Sequence, residues 1–209
     1  MDILRDAPPL ERFGNLALDL TNTVVCERVG RVDRIQTPDQ FIEWLSDMDA
    51  PGYPELVPLT PPGQKTLHVE ALELRTDLDR LFHAFASGTT LTGNALFNVN
   101  RALRGSFRSS RLVIVDGRPV LRERHESNGP VAVLAPIATA AATLMTEADP
   151  GRLRQCAGAA CTRWFLDTSK GGQRQWCSMA TCGNRAKSAR FRARSGPGPD
   201  AAAPPAPSA

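Results

Sequence analysis

Four cysteines stand near the C-terminal end of this 209-residue chain in two Cys-x4-Cys pairs, Cys156 with Cys161 and Cys177 with Cys182, fifteen residues apart. Two short thiol loops separated by a hairpin's length of chain can converge on one ion, and a tetrahedron of thiolates is a coordination that Zn²⁺ favours. Four thiolates fill that tetrahedron, so one structural Zn²⁺ is expected and a catalytic ion, which needs an open position, is not. The N-terminus, Met1-Asp2-Ile3-Leu4-Arg5-Asp6, has neither the basic flank nor the apolar stretch of a secretory signal, and no apolar run is long enough to span a bilayer. The expected location is the cytoplasm, where thiols stay reduced and a dense cysteine cluster serves a metal rather than disulfides. Cys26 stands apart with no nucleophile pattern around it and is expected to pack as a small apolar side chain.

The charge is divided along the chain. Residues 151–195 carry ten Lys and Arg (Arg152, Arg154, Arg163, Lys170, Arg174, Arg185, Lys187, Arg190, Arg192 and Arg194) against the single acid Asp167, a net +9. Residues 1–150 carry fifteen basic and twenty acidic residues, a net −5. Four thiolates around one Zn²⁺ would lower the basic segment by two charges and leave it strongly cationic. A polyanion-binding end on an otherwise acidic protein is the reading this split supports.

The first 150 residues read as mainly helical with a small β-hairpin. Leu16 to Val25 is an apolar segment interrupted by Asp19, Asn22 and Thr23, and is expected to be a helix. Thr37-Pro38-Asp39 supplies an N-cap, a first-turn proline and a first-turn acid for a helix carrying Phe41, Ile42, Leu45 and Met48. Leu67, Ala71, Leu74, Leu78, Leu81, Phe82 and Phe85 recur at steps of three and four, predicting a buried helical stripe over 64–86. A further helix over 92–104 presents Leu96, Val99 and Leu103. Arg111–Val115 and Val120–Arg122 then flank Asp116-Gly117, a dipeptide suited to a tight hairpin turn. An alanine-rich helix from Pro136 to Glu147 ends at Asp149-Pro150-Gly151, where the domain boundary is placed. Residues 196–209 hold only Pro, Gly, Ala and Ser around Asp200 and predict a disordered tail.

Within residues 151–195, Arg163–Asp167 and Gln173–Trp176 read as two strands joined by Thr168–Gly172, which would bring the two cysteine loops together. Gly183 permits a turn, Asn184 caps a helix, and Arg185 to Arg194 continue it. Knuckle, hairpin, knuckle and helix make a treble-clef-like zinc-binding α+β module. At about 45 residues such a unit is too small for an apolar core alone, and metal binding of about 10–16 kcal/mol becomes its folding energy. Trp164, Phe165 and Trp176 are expected to fill the small core around the metal. On the last helix, Lys187, Arg190 and Arg194 follow helical steps and Arg185 and Arg192 form a second row, a surface suited to several phosphates.

The run Cys177-Ser178-Met179-Ala180-Thr181-Cys182-Gly183-Asn184-Arg185, preceded by Trp164-Phe165-Leu166-Asp167-Thr168-Ser169, closely resembles the CGNR zinc-finger family. Upstream, Leu16-Ala17-Leu18-Asp19-Leu20-Thr21-Asn22-Thr23 is similar to the opening motif of the ABATE domain that accompanies this finger. The resemblance implies a stress-induced, one-component transcription regulator whose N-terminal domain binds a ligand. It carries the four cysteines over as zinc ligands and Gly183-Asn184-Arg185 as the start of the basic helix. Gln175 departs from it, since a second basic residue commonly precedes the tryptophan, while Arg174 remains.

Together these readings predict DNA binding through Arg174, Arg185, Lys187, Arg190, Arg192 and Arg194, no membrane partner, and no catalysis, since no nucleophile, paired-acid or cofactor motif occurs. One small module offers few base contacts, which leaves room for a homodimer. A zinc-dependent RNA-binding or protein-interaction module is the alternative. Asp19, Asn22 and Thr23 are polar residues in an apolar segment, so burial obliges them to find partners. A small-molecule effector is one source of those partners; bonds that cap helices or tie the helix to the following loop are the other.

Overall fold

The computed structural model describes residues 10, 12–27, 30–48, 59–91, 93–104, 106–127 and 130–194; the tail expected at 196–209 lies outside them. The first helix, α1 (Leu16–Thr21), starts at Asn15, whose side chain accepts from the amides of Ala17 at 3.0 Å and Leu18 at 3.2 Å. It is shorter than expected. The chain leaves the helix at Asn22 and enters strand β1 (Val24–Glu27), which pairs antiparallel with β2 (Gly30–Asp33) in the register Val24↔Asp33. Thr23, Val24 and Val25 are consecutive β-branched residues, which favour extended backbone, and the Thr23 hydroxyl ends the helix by donating to the Leu20 carbonyl at 2.8 Å. Cys26 lies half-buried in β1 opposite Arg31.

Helix α2 (Pro38–Ser46) carries the expected N-terminus as a capping box: the Thr37 hydroxyl accepts from the Gln40 amide at 3.3 Å, and the Gln40 side chain accepts from the Thr37 amide at 3.1 Å. Helix α3 (Pro61–Ser87) extends the predicted stripe at both ends, from a proline in its first turn to Gly88 in the left-handed region at φ +67°. Leu67, Ala71, Leu74, Leu78, Leu81 and Phe82 on its inner face are almost wholly buried. Each large side chain on this stripe contributes about 1.5–3 kcal/mol by leaving water.

A 3-10 turn at Gly93–Leu96 leads into α4 (Phe97–Arg104), which buries Val99 and Ala102. Strands β3 (Ser106–Val115) and β4 (Arg118–Ser127) form a hairpin longer than its sequence signature, turned at Asp116 (φ 51°) and Gly117 (φ 75°), the paired positive angles that Asp-Gly accepts. Helix α5 (Ala135–Glu147) buries Ile137, Ala138, Ala141 and Leu144. Helices α1, α2 and α4 pack on α3, and α5 packs on α1 and α4. No helix among the described residues is long and apolar enough to cross a membrane.

Beyond the turn at Pro150–Arg152, β5 (Leu153–Gln155) pairs antiparallel with β6 (Trp164–Leu166) in the register Leu153↔Leu166. The hairpin expected between 163–167 and 173–176 is therefore replaced: β6 pairs upstream, and 173–176 is not a strand. The cause is Asp167. Its carboxylate accepts from the Arg174 amide at 2.9 Å and from the Ser169 amide and hydroxyl at 3.0 and 2.6 Å, which curls the chain back instead of laying it along a ladder. A π-helical turn, Met179–Gly183, feeds directly into α6 (Asn184–Arg194). Asn184 consequently does not cap this helix; its side chain donates to the Ala180 carbonyl at 3.2 Å. Gly183 is also not a left-handed turn residue. It is buried where a Cβ would press on Met179 Sδ at 2.5 Å and the Trp176 ring at 3.3 Å.

Candidate metal centre and basic helix

The two cysteine loops converge. One ligand atom from each of Cys156, Cys161, Cys177 and Cys182 lies within 4.8 Å of the others. Cys177 Sγ is 3.8 Å from Cys161 Sγ and 3.7 Å from Cys182 Sγ. A tetrahedron with metal–sulfur legs of about 2.3 Å has edges of about 3.8 Å, so these two separations are those of a Zn²⁺ site. Cys156 Sγ also accepts from the Cys177 amide at 3.3 Å, a bond that locks one loop onto the other. Gly158 makes the first loop this tight, since a Cβ there would meet Cys161 Cβ at 3.1 Å and Cys182 Sγ at 3.4 Å.

Three of the thiols, Cys161, Cys177 and Cys182, have pKa values displaced by their neighbours. Cys161 is lowered to about 5, chiefly by its hydrogen bond with the Cys177 thiol. Cys177 is pushed up, chiefly because its proton is held in that bond, and Cys182 rises to about 11 through burial and then through the Cys161 charge. A divalent cation resolves this by stabilising every thiolate at once, and the donor set, all sulfur and closed, suits a single structural zinc.

Around the cysteines, Phe165 is the buried aromatic, with Trp176 and Phe13 half-buried against it. Trp164 departs from expectation. It turns away from the metal and, with Leu153, enters the core of the helical part. Its ring meets Phe82 and His83 edge-on at centroid distances of 6.0 and 4.7 Å, and its Nε1–H donates to Asp79 Oδ1 at 2.8 Å. Asn22 completes the joint: its amide nitrogen donates to the Trp164 carbonyl at 2.8 Å, and its Oδ1 accepts from the Trp164 amide at 2.8 Å. The metal module is thus built into the helical part by a buried strand.

The other two polar residues of that segment also find partners within the chain. Asp19 accepts from the Phe13 amide at 2.7 Å, and burial raises its pKa. The Thr23 hydroxyl accepts from Arg75 at 2.7 Å, and Arg75 also grips Asp33 through both oxygens at 2.8 and 2.6 Å. Burial works to raise the Asp33 pKa, but the Arg75 bonds outweigh it and hold the group below its ordinary value. Of the two sources of partners for Asp19, Asn22 and Thr23, these bonds describe the internal one.

The predicted cations fall into two sets. Arg185, Lys187, Arg190, Arg192 and Arg194 are all exposed on α6, which buries none of its own residues. Arg174 is exposed as well, but its guanidinium lies 4.7 Å over the Phe165 ring and donates to the Trp176 carbonyl at 2.9 Å and to the Cys177 carbonyl. It holds the second cysteine loop. Arg152 acts similarly, donating to the carbonyls of Asp167 at 3.2 Å and Ser169 at 2.6 Å. Asp167, Gly158, Asp79 and the Asn22–Trp164 pairing escaped the sequence reading; a lone acid in a +9 segment was the one signal that could have found Asp167.

Comparison with known families agrees with this architecture. The ABATE family model, described as "Putative stress-induced transcription regulator", matches residues 14–148. The chain belongs to the ABATE family. The CGNR zinc-finger model matches residues 152–195, which places the four cysteines, β5, β6 and α6 in the finger of this ABATE protein. No curated protein matches the chain.

Proposed function

We propose that this ABATE protein is a non-catalytic, cytoplasmic one-component regulator that binds duplex DNA through α6 and responds to a small-molecule effector. One observation carries the DNA-binding half: a helix that buries nothing of its own presents five exposed cations on a metal-braced platform. Surfaces of this kind meet phosphates, which supply affinity and steep salt dependence. Trp164 and Phe165 are 2% and 1% exposed, so they offer no stacking platform to single-stranded RNA.

For the effector, the supporting feature is a cleft of about 660 Å³ between the two parts. Arg12, Asn15, Leu18 and Leu144 wall it from the helical side, and Phe165, Thr168, Arg174 and Ser178 from the finger. Its lining sets two arginines, Arg12 and Arg174, beside the zinc ligand Cys177. A molecule seated there touches both parts at once and so can bias their arrangement, which is what coupling to DNA affinity requires. A homodimer would double the few base contacts one finger can make.

The test is binding of the zinc-loaded protein to its own upstream DNA, to unrelated duplex and to structured RNA across a salt series. Five phosphate contacts predict that log affinity falls with log salt at a slope of about −4 to −5 on duplex. Tighter binding to the upstream DNA at every salt supports a sequence-specific regulator; absent duplex binding overturns the proposal.

A further inference from the structure

Phe191 belongs to neither core cluster of the described residues. It is 72% exposed, the most exposed large apolar side chain among the described residues, and it belongs to a helix that buries nothing. Its position on α6 is informative. Lys187, Arg190, Phe191 and Arg194 stand at i, i+3, i+4 and i+7, which is one face of a helix, so the ring is set among three cations. An eleven-residue helix is marginal in water without packing, and this face is the one whose mixed chemistry calls for a partner.

Phosphates explain the cations but not the ring, because a phosphate oxygen offers an aromatic side chain nothing. The bases do. A B-form major groove, about 12 Å wide, admits an α-helix and displays the C5-methyl group of thymine, which apolar side chains recognise. We infer that Phe191 is the base-reading residue of α6, set against a thymine methyl in the major groove while Lys187, Arg190 and Arg194 hold the flanking phosphates. The inference rests on the DNA-binding reading above and supplies what phosphate contacts cannot, sequence discrimination. Duplex DNA is favoured over an acidic protein surface because the phosphates of a groove lie on both sides of its base edges, and around the helix axis Lys187, Arg190 and Arg194 stand to one side of the ring while Arg185 and Arg192 stand to the other.

The experiment uses the zinc-loaded full-length protein to enrich duplexes from a random pool, then measures affinity for an enriched site against a scrambled one. Phe191→Ala should lower that ratio about tenfold or more. The melting temperature and the salt slope should stay unchanged, since the ring is mostly exposed, belongs to neither core cluster of the described residues and meets no phosphate. Replacing the contacted thymine with uracil should cause the same loss in the native protein and no further loss in the variant. An unchanged ratio in Phe191→Ala, or a uracil effect of equal size in both proteins, would overturn the inference while leaving DNA binding intact. Duplex binding without enrichment of any site would overturn base reading but not phosphate contact, and absence of duplex binding would remove both.

Discussion

Replacing Asn22 with alanine removes a side chain that stands in for a neighbouring strand. Both backbone polar groups of Trp164 end on Asn22, the amide at 2.8 Å and the carbonyl at 2.8 Å, and Asn22 and Trp164 are each 2% exposed. The variant leaves one donor and one acceptor buried without partners at about 1–3 kcal/mol each, or about 2–6 kcal/mol in total. Against a typical domain stability of about 5–15 kcal/mol that is a large fraction. Urea denaturation of the zinc-loaded protein, followed by tryptophan fluorescence, should show the loss directly. Asn22→Asp should not rescue it, because a carboxylate still accepts from the amide but sets a second acceptor against the carbonyl. A change within about 0.5 kcal/mol, the size of an ordinary surface substitution, would refute the claim that this pair joins finger to helices.

Other outcomes follow from the same contacts. Trp164→Ala should cost about 3–5 kcal/mol, read by the same denaturation, because it empties a core site shared with Phe82 and strips Asp79 of its donor. Cys177→Ser should abolish stoichiometric zinc in elemental analysis; because Leu153 and Trp164 lie in the main core, the thermal transition of the helical part should fall as well. Gly158→Ala should weaken zinc retention against a chelator, since the new methyl meets Cys161 Cβ at 3.1 Å. Asp19→Asn should stabilise the fold near neutral pH. Burial raises the folded-state pKa of Asp19 above its unfolded value, so its ionisation lowers stability as pH rises from the unfolded pKa to the folded one. Denaturation midpoints of the two proteins should converge in acid and separate toward pH 7.

Much of this was legible in the sequence, and the places where it was not have physical reasons. The stripe from Leu67 to Phe82, the Thr37 cap and the Asp116-Gly117 turn are local signals, each resolved within a few residues, and all three hold. The cysteine spacing was enough to name a closed zinc site because the ligands constrain each other whatever lies between them. Strand pairing in the finger failed because it depends on a buried acid: Asp167 captures the Arg174 amide and removes 173–176 from any ladder. Trp164 was misplaced for a different reason. Nothing within the finger reveals that Asn22, 142 residues upstream, pairs with the backbone N–H and C=O of Trp164, since that pairing is made by the tertiary fold. The same long-range bond explains why Asn22 reads as a stray polar residue in an apolar segment.

The most direct test of the account is charge reversal on the exposed face of α6. In Arg190→Glu with Arg194→Glu, both side chains are exposed and the helix buries nothing, so the fold and zinc content should be unchanged. Affinity for duplex DNA should fall for every sequence alike, and the slope of log affinity against log salt should become shallower by about 2 as two phosphate contacts are lost. Full affinity with an unchanged slope would remove α6 from the interface and with it the proposed mode of DNA binding.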